Sequence, residues 1–417
     1  MALEQLTKTT NPKPQDLDCD LVIVGGGIVG ATLACSLKGP GLQVILIEAK
    51  TLEAAATRPQ AYALSLLSGR IFEGIGVWDD ILPKISQYHS IQLSDADYPH
   101  ILQFQPEDLG TDALGYVAEH GVVLRALQKS LADCPNIRWL CPAEVVGIED
   151  GASAVAIRVK MGAEERQVRA KLLVGADGAR SRVRHWADIK TRGWKYWQSC
   201  VTFKIQHEAP RNDIAFERFW YSGPMGVLPL PGNRCQIVWT APHADAKALQ
   251  ALNEEEFIAQ LEGRTGGVLG SLKLVSDRVL FPVQLMQCDR YIQSRLALIG
   301  DAAHCCHPVG GQGLNLGIRD AAAIAQILQE AQHQGEDIGK HQILKRYERW
   351  RKGENLTILG FTDLLDRMFS NRWFPLVVSR RLGLWLLANI RPLKIYALQL
   401  MTGLRGRMPK LVTSNKD

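Results

Sequence analysis

Three clusters of glycine, aspartate and histidine carry the residue types from which a cofactor site can be built. The first is Gly25-x-Gly27-x-x-Gly30. At that spacing the first glycine permits a tight turn and the second lets backbone approach a pyrophosphate. The third lets a helix pack closely on a sheet. Ile28 and Val29 open the helix, whose free N–H groups and positive partial charge would meet the phosphates. Glu48 follows 18 residues beyond Gly30. A carboxylate there accepts from ribose hydroxyls and favours an unphosphorylated adenosine ribose, as in FAD or NAD.

The second cluster is Gly175-Ala-Asp-Gly-Ala-Arg-Ser-Arg-Val-Arg184. Its Asp177-Gly178 pair reads equally as an ordinary turn or as a cofactor contact. The third runs from Gly300-Asp301-Ala-Ala-His304 into Pro308-Val-Gly-Gly-Gln-Gly-Leu-Asn315. Asp301 could cap that region or hydrogen-bond a sugar-like chain. The loop's N–H groups, with a helix dipole behind them, could stabilise negative charge on a flavin ring. His304 and His307 can shuttle protons near neutral pH or simply pack within the loop. His307, beside Pro308, is the stronger candidate for chemistry. There is no nucleophile triad and no metal-ligand spacing, which fits chemistry carried by a cofactor.

The elements that must position these residues follow from the pattern. Asp20-Leu-Val-Ile-Val24 is an apolar β-branched run before the first glycines, residues 28–37 read as a helix, and Gln43-Val-Ile-Leu-Ile-Glu48 is a second strand. This is the start of a parallel sheet. Helical pattern is expected over 60–76 and 122–131, and short alternating strands from 137 to 174. A second β-rich stretch spans 198–240, Arg295-Leu-Ala-Leu-Ile-Gly300 is a buried strand, and 314–332 is an Ala-rich helix. Helical pattern dominates from there to the end. The chain leaves an α/β domain, builds a β-rich one, and returns. The expected FAD-binding domain is discontinuous, over 18–80, 105–190 and 282–350. The β-rich substrate domain takes 81–104 and 191–281, and a helical region takes 351–417.

At 417 residues, 46% hydrophobic and 22% charged, the composition is that of a globular chain larger than one core. Residues 1–20 lack the apolar core of a signal peptide, and no apolar run reaches bilayer-spanning length. Nine scattered cysteines point to a reducing compartment such as the cytoplasm, with Cys305-Cys306 read as inert packed thiols. Eight basic residues and no acid fall between 371 and 412, leaving 40 basic against 43 acidic residues elsewhere. The net charge of +5 therefore belongs to the tail.

In order and spacing the three clusters resemble the flavin-dependent aromatic hydroxylases of the para-hydroxybenzoate hydroxylase type, and more closely the ring hydroxylases of ubiquinone biosynthesis. The resemblance continues through Gln60-Ala-Tyr-Ala-Leu-Ser65, Leu114-Gly-Tyr-Val-Ala-Glu119, Glu217-Arg-Phe219 and Gly223-Pro-Met-Gly-Val-Leu-Pro-Leu230. With Gly311-Gln-Gly-Leu-Asn-Leu-Gly-Ile-Arg-Asp320 it covers roughly residues 20–370. It implies a Rossmann-like FAD-binding domain with a parallel sheet, an inserted β-rich substrate domain and a C-terminal helical extension. It also implies that Gly25, Gly27 and Gly30 hold the pyrophosphate, Glu48 the adenosine ribose and Asp301 the ribityl chain. Pro308 would lie beside the isoalloxazine ring, with Gly311, Gln312, Gly313, Leu314 and Asn315 at its pyrimidine edge. Asp177 and Gly178 match a motif associated with FAD and the nicotinamide, and Arg125 falls at a polar cofactor contact. Where several relatives carry arginine, this chain has Gln60, with Arg58 two residues upstream. Either could serve the flavin or phosphates.

The implied cycle uses NAD(P)H to reduce FAD and O2 as oxygen source, and places one oxygen atom on an electron-rich phenolic ring, with loss of water. With a single dinucleotide fingerprint, the nicotinamide has no Rossmann domain of its own. A prenylated phenol or quinone precursor is the expected substrate. Alternatives on the same scaffold are a reductase, a halogenase (although the W-x-W-x-I-P signature is absent) and a non-catalytic flavin-bearing assembly subunit. The tail reads either as helices packed on the domain with solvated basic edges or as a surface that meets anionic lipid. No nucleic-acid motif occurs. A quinone-biosynthesis complex or a homo-oligomer is compatible with the sequence.

Overall fold

The computed structural model describes residues 18–95 and 98–413. The stretch read for a secretion signal lies outside the described residues as far as residue 17. Leu21, Val22 and Ile23, fully buried, form the middle of Cys19–Val24. That strand is parallel to Val44–Ile47 on one side and to Glu164–Gly175 on the other. Ile137–Leu140 and Leu296–Leu298 extend the parallel set outward. Strands this apolar throughout need cover on both faces. Helices α1 (Ile28–Ser36), α2 (His120–Leu131) and α3 (Gln312–His333) supply part of that cover. Glu144–Asp150 and Val155–Met161 add an antiparallel meander to Glu164–Gly175.

Among the described residues the second sheet has nine strands and is almost wholly antiparallel. Thr191–His207 pairs with Val279–Cys288 on one side and Arg234–Pro242 on the other. Gly223–Leu230 and Ile214–Trp220 follow outward, and Ser90–Asp95 joins parallel to the latter. His304–Cys305 pairs with Met286 and Gln287, which ties this sheet to the third glycine cluster.

One expected element is different. Residues 60–76 are not a single helix: Ala61–Ser65 is a strand paired with Gly115–Glu119, and the helix begins only at Leu66. Ala and Leu favour helix locally, but the partner strand takes their backbone groups. The Ser65 side chain then accepts from Ser68 N at 3.2 Å and caps the new helix.

After α3 the chain is helical: α4 (His341–Phe369), α5 (Phe374–Asn389) and α6 (Arg391–Thr402). The first half of α4 is core, with the Tyr347 hydroxyl donating to Leu298 O at 2.9 Å. Among the described residues no helix is long and apolar enough to cross a membrane.

Candidate active site

Two cavities meet at the third glycine cluster. One, of about 430 Å³, runs from the start of α1 past Arg58, Gln60 and Asp301. The other, of about 420 Å³, runs from Glu217 outward between α4, α5 and α6. Ala63, Leu228, Val238, Pro308 and Gly311 wall both. Pro308 and Gly311 are thus the partition. Gly310 and Gly311 turn there at φ +70° and +60°, the left-handed region that favours glycine.

The first cavity holds most of the expected cofactor residues. Gly27, Ile28 and Val29 line it, and a Cβ on Gly27 would meet nothing within 4 Å. Gly30 does not face the cavity: its missing Cβ would lie 1.9 Å from the Gly25 carbonyl oxygen, so it lets α1 seat on the turn. Glu48 accepts from Gly26 N at 2.9 Å and from Lys50 N at 3.0 Å, fixing its carboxylate at the end of its strand. Asp177 accepts from Ser181 Oγ at 2.6 Å and from Arg182 N and Val183 N, so its carboxylate starts the short helix Arg182–Trp186. Gly178, at φ +82°, is part of the wall. Asp177 is thus engaged in the turn, while Gly178 borders the cavity.

Asp301 opens into the cavity although protein surrounds it, and no protein donor reaches its carboxylate among the described residues. Burial raises its pKa, while His304 and Arg58 pull the other way. Its loop is held from below by Asp320 on α3. That carboxylate accepts from Gly300 N at 3.1 Å, His304 Nε2 at 2.6 Å, Arg351 Nε at 2.7 Å and Asn355 Nδ2 at 3.0 Å. Burial alone would raise the Asp320 carboxyl, but His304 and Arg351 hold it well below the ordinary range. Arg184 joins the second and third clusters by donating to Ala179 O and Ala302 O, each at 2.8 Å. Neither Asp320 nor Arg184 stood out in the sequence as a site residue.

Several candidates stand elsewhere. His307 lines neither cavity: its Nδ1 accepts from Val309 N at 3.2 Å, and Nε2 faces Gln198 Oε1 at 3.3 Å and Asp366 Oδ1 at 3.5 Å. Burial pushes its pKa down to about 4, against the pull of Asp366, so the ring is neutral and supports the loop. Arg125 pairs with Glu53 at 2.9 Å on the surface, outside the cavity wall. The Asn315 side chain braces Ser65, Ala63 and Gly311, and Gln312 Nε2 donates to Gly310 O and Met401 O. Both thus hold the loop's shape. Cys305 and Cys306 do line the first cavity, and burial raises both thiols, Cys306 to about 12, so they stay protonated.

FAD fits this arrangement. Gly27 leaves room at the α1 N-terminus, and among the described residues the Asp301 carboxylate awaits a donor and the buried Gln60 Oε1 lacks a hydrogen-bond partner. Arg58, also on the wall, has no carboxylate within ion-pair distance among the described residues. These are the groups that phosphates, hydroxyls and a flavin ring would satisfy.

Comparison with known proteins agrees with the geometry. Residues 18–355 match the FAD binding domain family. A ubiquinone hydroxylase, UbiL, of Rhodospirillum rubrum is 38% identical over 91% of this chain and 88% of its own. The 3-demethoxyubiquinol 3-hydroxylase of Escherichia coli is 33% identical over 92% of this chain and 98% of its own. Among solved structures, p-nitrophenol 4-monooxygenase PnpA of Pseudomonas putida superposes with a TM-score of 0.78. That likeness covers 93% of this chain and 98% of the other at 19% identity, and so speaks for the fold alone. With its glycine-turned partition between a dinucleotide cavity and an apolar one, this chain belongs to the FAD-dependent aromatic-ring hydroxylases, the family that includes the hydroxylases of ubiquinone biosynthesis.

Proposed function

We propose that this enzyme hydroxylates a prenylated phenol in quinone biosynthesis, with NAD(P)H as reductant and O2 as oxygen source. The observation that carries this reading is the second cavity. Its volume of about 420 Å³ is within the range of small-molecule sites, and its walls are almost wholly apolar. It begins at Pro308 and ends among Leu364, Leu393 and Tyr396, which are exposed at the surface. A phenol ring at the inner end could leave its isoprenoid tail along the apolar walls toward that mouth.

Bound FAD supplies the redox chemistry and the oxygen transfer. In this reading Gly25, Gly27 and Gly30 shape the pyrophosphate turn, Glu48 faces the adenosine ribose, and Asp301 faces the ribityl chain. Arg58 and Gln60 border the same cavity, and Pro308 to Leu314 give the flavin its apolar wall and backbone N–H groups. Leu228, Val238 and the α4 side chains exclude water from the reacting ring.

The mouth supports peripheral contact with a membrane. Trp373, Phe374 and Trp385 are 65%, 76% and 49% exposed on and beside α5, and Arg372 and Arg391 are exposed on the same segment, while Arg381 and Lys394 pair with Asp95 and Asp108. Aromatic side chains entering lipid beside cations at the headgroups would present a lipid-borne substrate to the cavity.

The test is a mass profile of lipid quinones and their precursors in cells lacking the gene, with the restored gene as control. A prenylated intermediate one oxygen short of the next should accumulate. An unchanged profile in cells with no second hydroxylase would sink the quinone reading and leave a hydroxylase of some other aromatic compound.

A further inference from the structure

We infer that Glu217 is the catalytic base that takes the phenolic proton of the substrate, an inference that rests on the aromatic-hydroxylase reading above. Glu217 is on the strand Ile214–Trp220 with its carboxylate in the inner wall of the apolar cavity, beside the Pro308–Gly311 partition. Among the described residues it is the only carboxylate in that wall. Its cross-strand neighbour is Gly226, whose missing side chain leaves the carboxylate room, and among the described residues Oε2 accepts a single hydrogen bond, from Gly310 N at 3.3 Å. No cation pairs with it among the described residues. A carboxylate held in an apolar wall with one weak donor has lone pairs free for a substrate hydroxyl.

The surroundings on every packed element leave it so. Ser90–Asp95 presents Leu93 alongside it, and Arg234–Pro242 presents Val238 and Thr240. From α4 come Phe361 and Leu365. Cys200, on Thr191–His207, is the titratable group near enough to feel its charge. Arg380 of α5 reaches the same cavity but is held by Asp95 at 2.8 Å. Tyr88 and Tyr396 are the other titratable groups on the wall. Burial pushes the Glu217 carboxyl up to about 7, with the Gly310 N–H pulling the other way. A base near 7 faces a phenol near about 10 with a gap roughly 300-fold smaller than an ordinary glutamate would.

The step balances. The phenol O–H bond breaks, its proton goes to a Glu217 carboxylate oxygen, and the electron pair enters the ring. One oxygen atom would add to the ring carbon through the chemistry that FAD, NAD(P)H and O2 supply when bound; the second oxygen atom would leave as water, which takes up the hydrogen that the ring carbon loses as a proton on rearomatisation. Glu217 returns its proton to the phenolic oxygen.

The test uses the FAD-loaded enzyme with 2-geranylphenol and a ring-fluorinated analogue that is ionised at neutral pH. For the wild type, kcat/KM with 2-geranylphenol should rise with pH through about 7, and the fluorinated phenol should lose that limb. Glu217→Gln should lower kcat/KM for 2-geranylphenol by about 10²–10⁴-fold, with a much smaller loss for the ionised phenol and unchanged flavin content and phenol affinity. Glu217→Asp should keep the limb at reduced rate. Equal losses for both phenols, or a Gln variant within about 3-fold of the wild type, would overturn the assignment. Should the Gln variant not retain FAD, an identical limb for both phenols on the wild type would overturn it as well. A wild type that adds no oxygen to either phenol would refute the hydroxylase reading itself, and this assignment with it.

Discussion

Replacing Gly27 by alanine should separate folding from cofactor binding. Gly27 has φ −70° and ψ −176°, which any L-residue adopts, and an added Cβ meets no atom of the described residues within 4 Å. The apo chain should therefore change in stability by no more than about 0.5 kcal/mol. The methyl group would instead border the first cavity at the α1 N-terminus, where the proposed reading puts the pyrophosphate. A phosphate displaced from one backbone N–H forgoes a charge-assisted hydrogen bond of about 1.5–3 kcal/mol, or roughly 10–150-fold in affinity. Gly30→Ala is the contrasting case. Its Cβ would lie 1.9 Å from Gly25 O, so turn and helix must part by about 1 Å to reach even the tightest real contact. Such overpacking costs about 1–3 kcal/mol or more, and stability should fall along with flavin. The measurements are apo-protein denaturation midpoints, flavin-to-protein absorbance ratios and FAD titration by fluorescence quenching. A Gly27→Ala protein with wild-type FAD affinity, or one destabilised as much as Gly30→Ala, would refute the argument.

Two further outcomes follow from charge and exposure. Asp320→Asn strips the buried Arg351 and His304 of their shared carboxylate and should cost about 3–5 kcal/mol in denaturant unfolding of the apo chain, with a loss below about 1 kcal/mol counting against the network. Because the Asp320 carboxyl is depressed, its stabilisation is present above its unfolded pKa near about 3.9 and is lost as pH falls below it. Replacing Trp373, Phe374 and Trp385 together by serine should reduce co-sedimentation with anionic vesicles while leaving flavin content unchanged; equal binding by the variant would remove the lipid-facing role of α5.

What could be read from the sequence was whatever is local. The glycine spacing at 25–30, the apolar strands on either side of it and the Ala-rich α3 each declare themselves within a few residues, because a turn or an amphipathic face is written in adjacent positions. What escaped is convergence over distance. Glu217 meets Gly310 across 93 residues, and Asp320 meets Arg351 and Asn355 across a helix junction. The third cluster adds a subtler failure. Along 304–308 successive side chains face different ways: His304 goes down to Asp320, Cys305 and Cys306 to the cofactor cavity, His307 into the core and Pro308 to the partition. Residue type named two histidines there, but only backbone direction decides which could touch a ligand. Arg125, which the family resemblance put at a polar cofactor contact, shows the same limit: it lies outside the cavity wall and pairs with the nearby acid Glu53.

His307 and Glu217 also oppose one another in pH dependence, which gives a last prediction. Burial pushes His307 down to about 4 from its ordinary 6.5, so the unfolded chain binds the extra proton between those values. Its contribution is present above pH 6.5 and is lost as pH falls toward 4, about 3 kcal/mol in all. Burial pushes Glu217 up to about 7 from 4.5, so here the folded chain holds the extra proton. That contribution is present below pH 4.5 and is lost as pH rises toward 7, again about 3 kcal/mol. Over their shared window the two slopes cancel. The apo wild type should therefore show little pH dependence of stability from this pair. His307→Asn keeps an acceptor for Val309 N and should leave stability falling with rising pH, by up to about 1.4 kcal/mol per pH unit. Glu217→Gln should give the reverse slope. Denaturant midpoints of the three apo proteins between about pH 4.5 and 6.5 decide it. Parallel pH profiles for all three would mean that the two groups are not shifted in opposite directions, and the assignment of Glu217 as a base poised near neutrality would lose its electrostatic support.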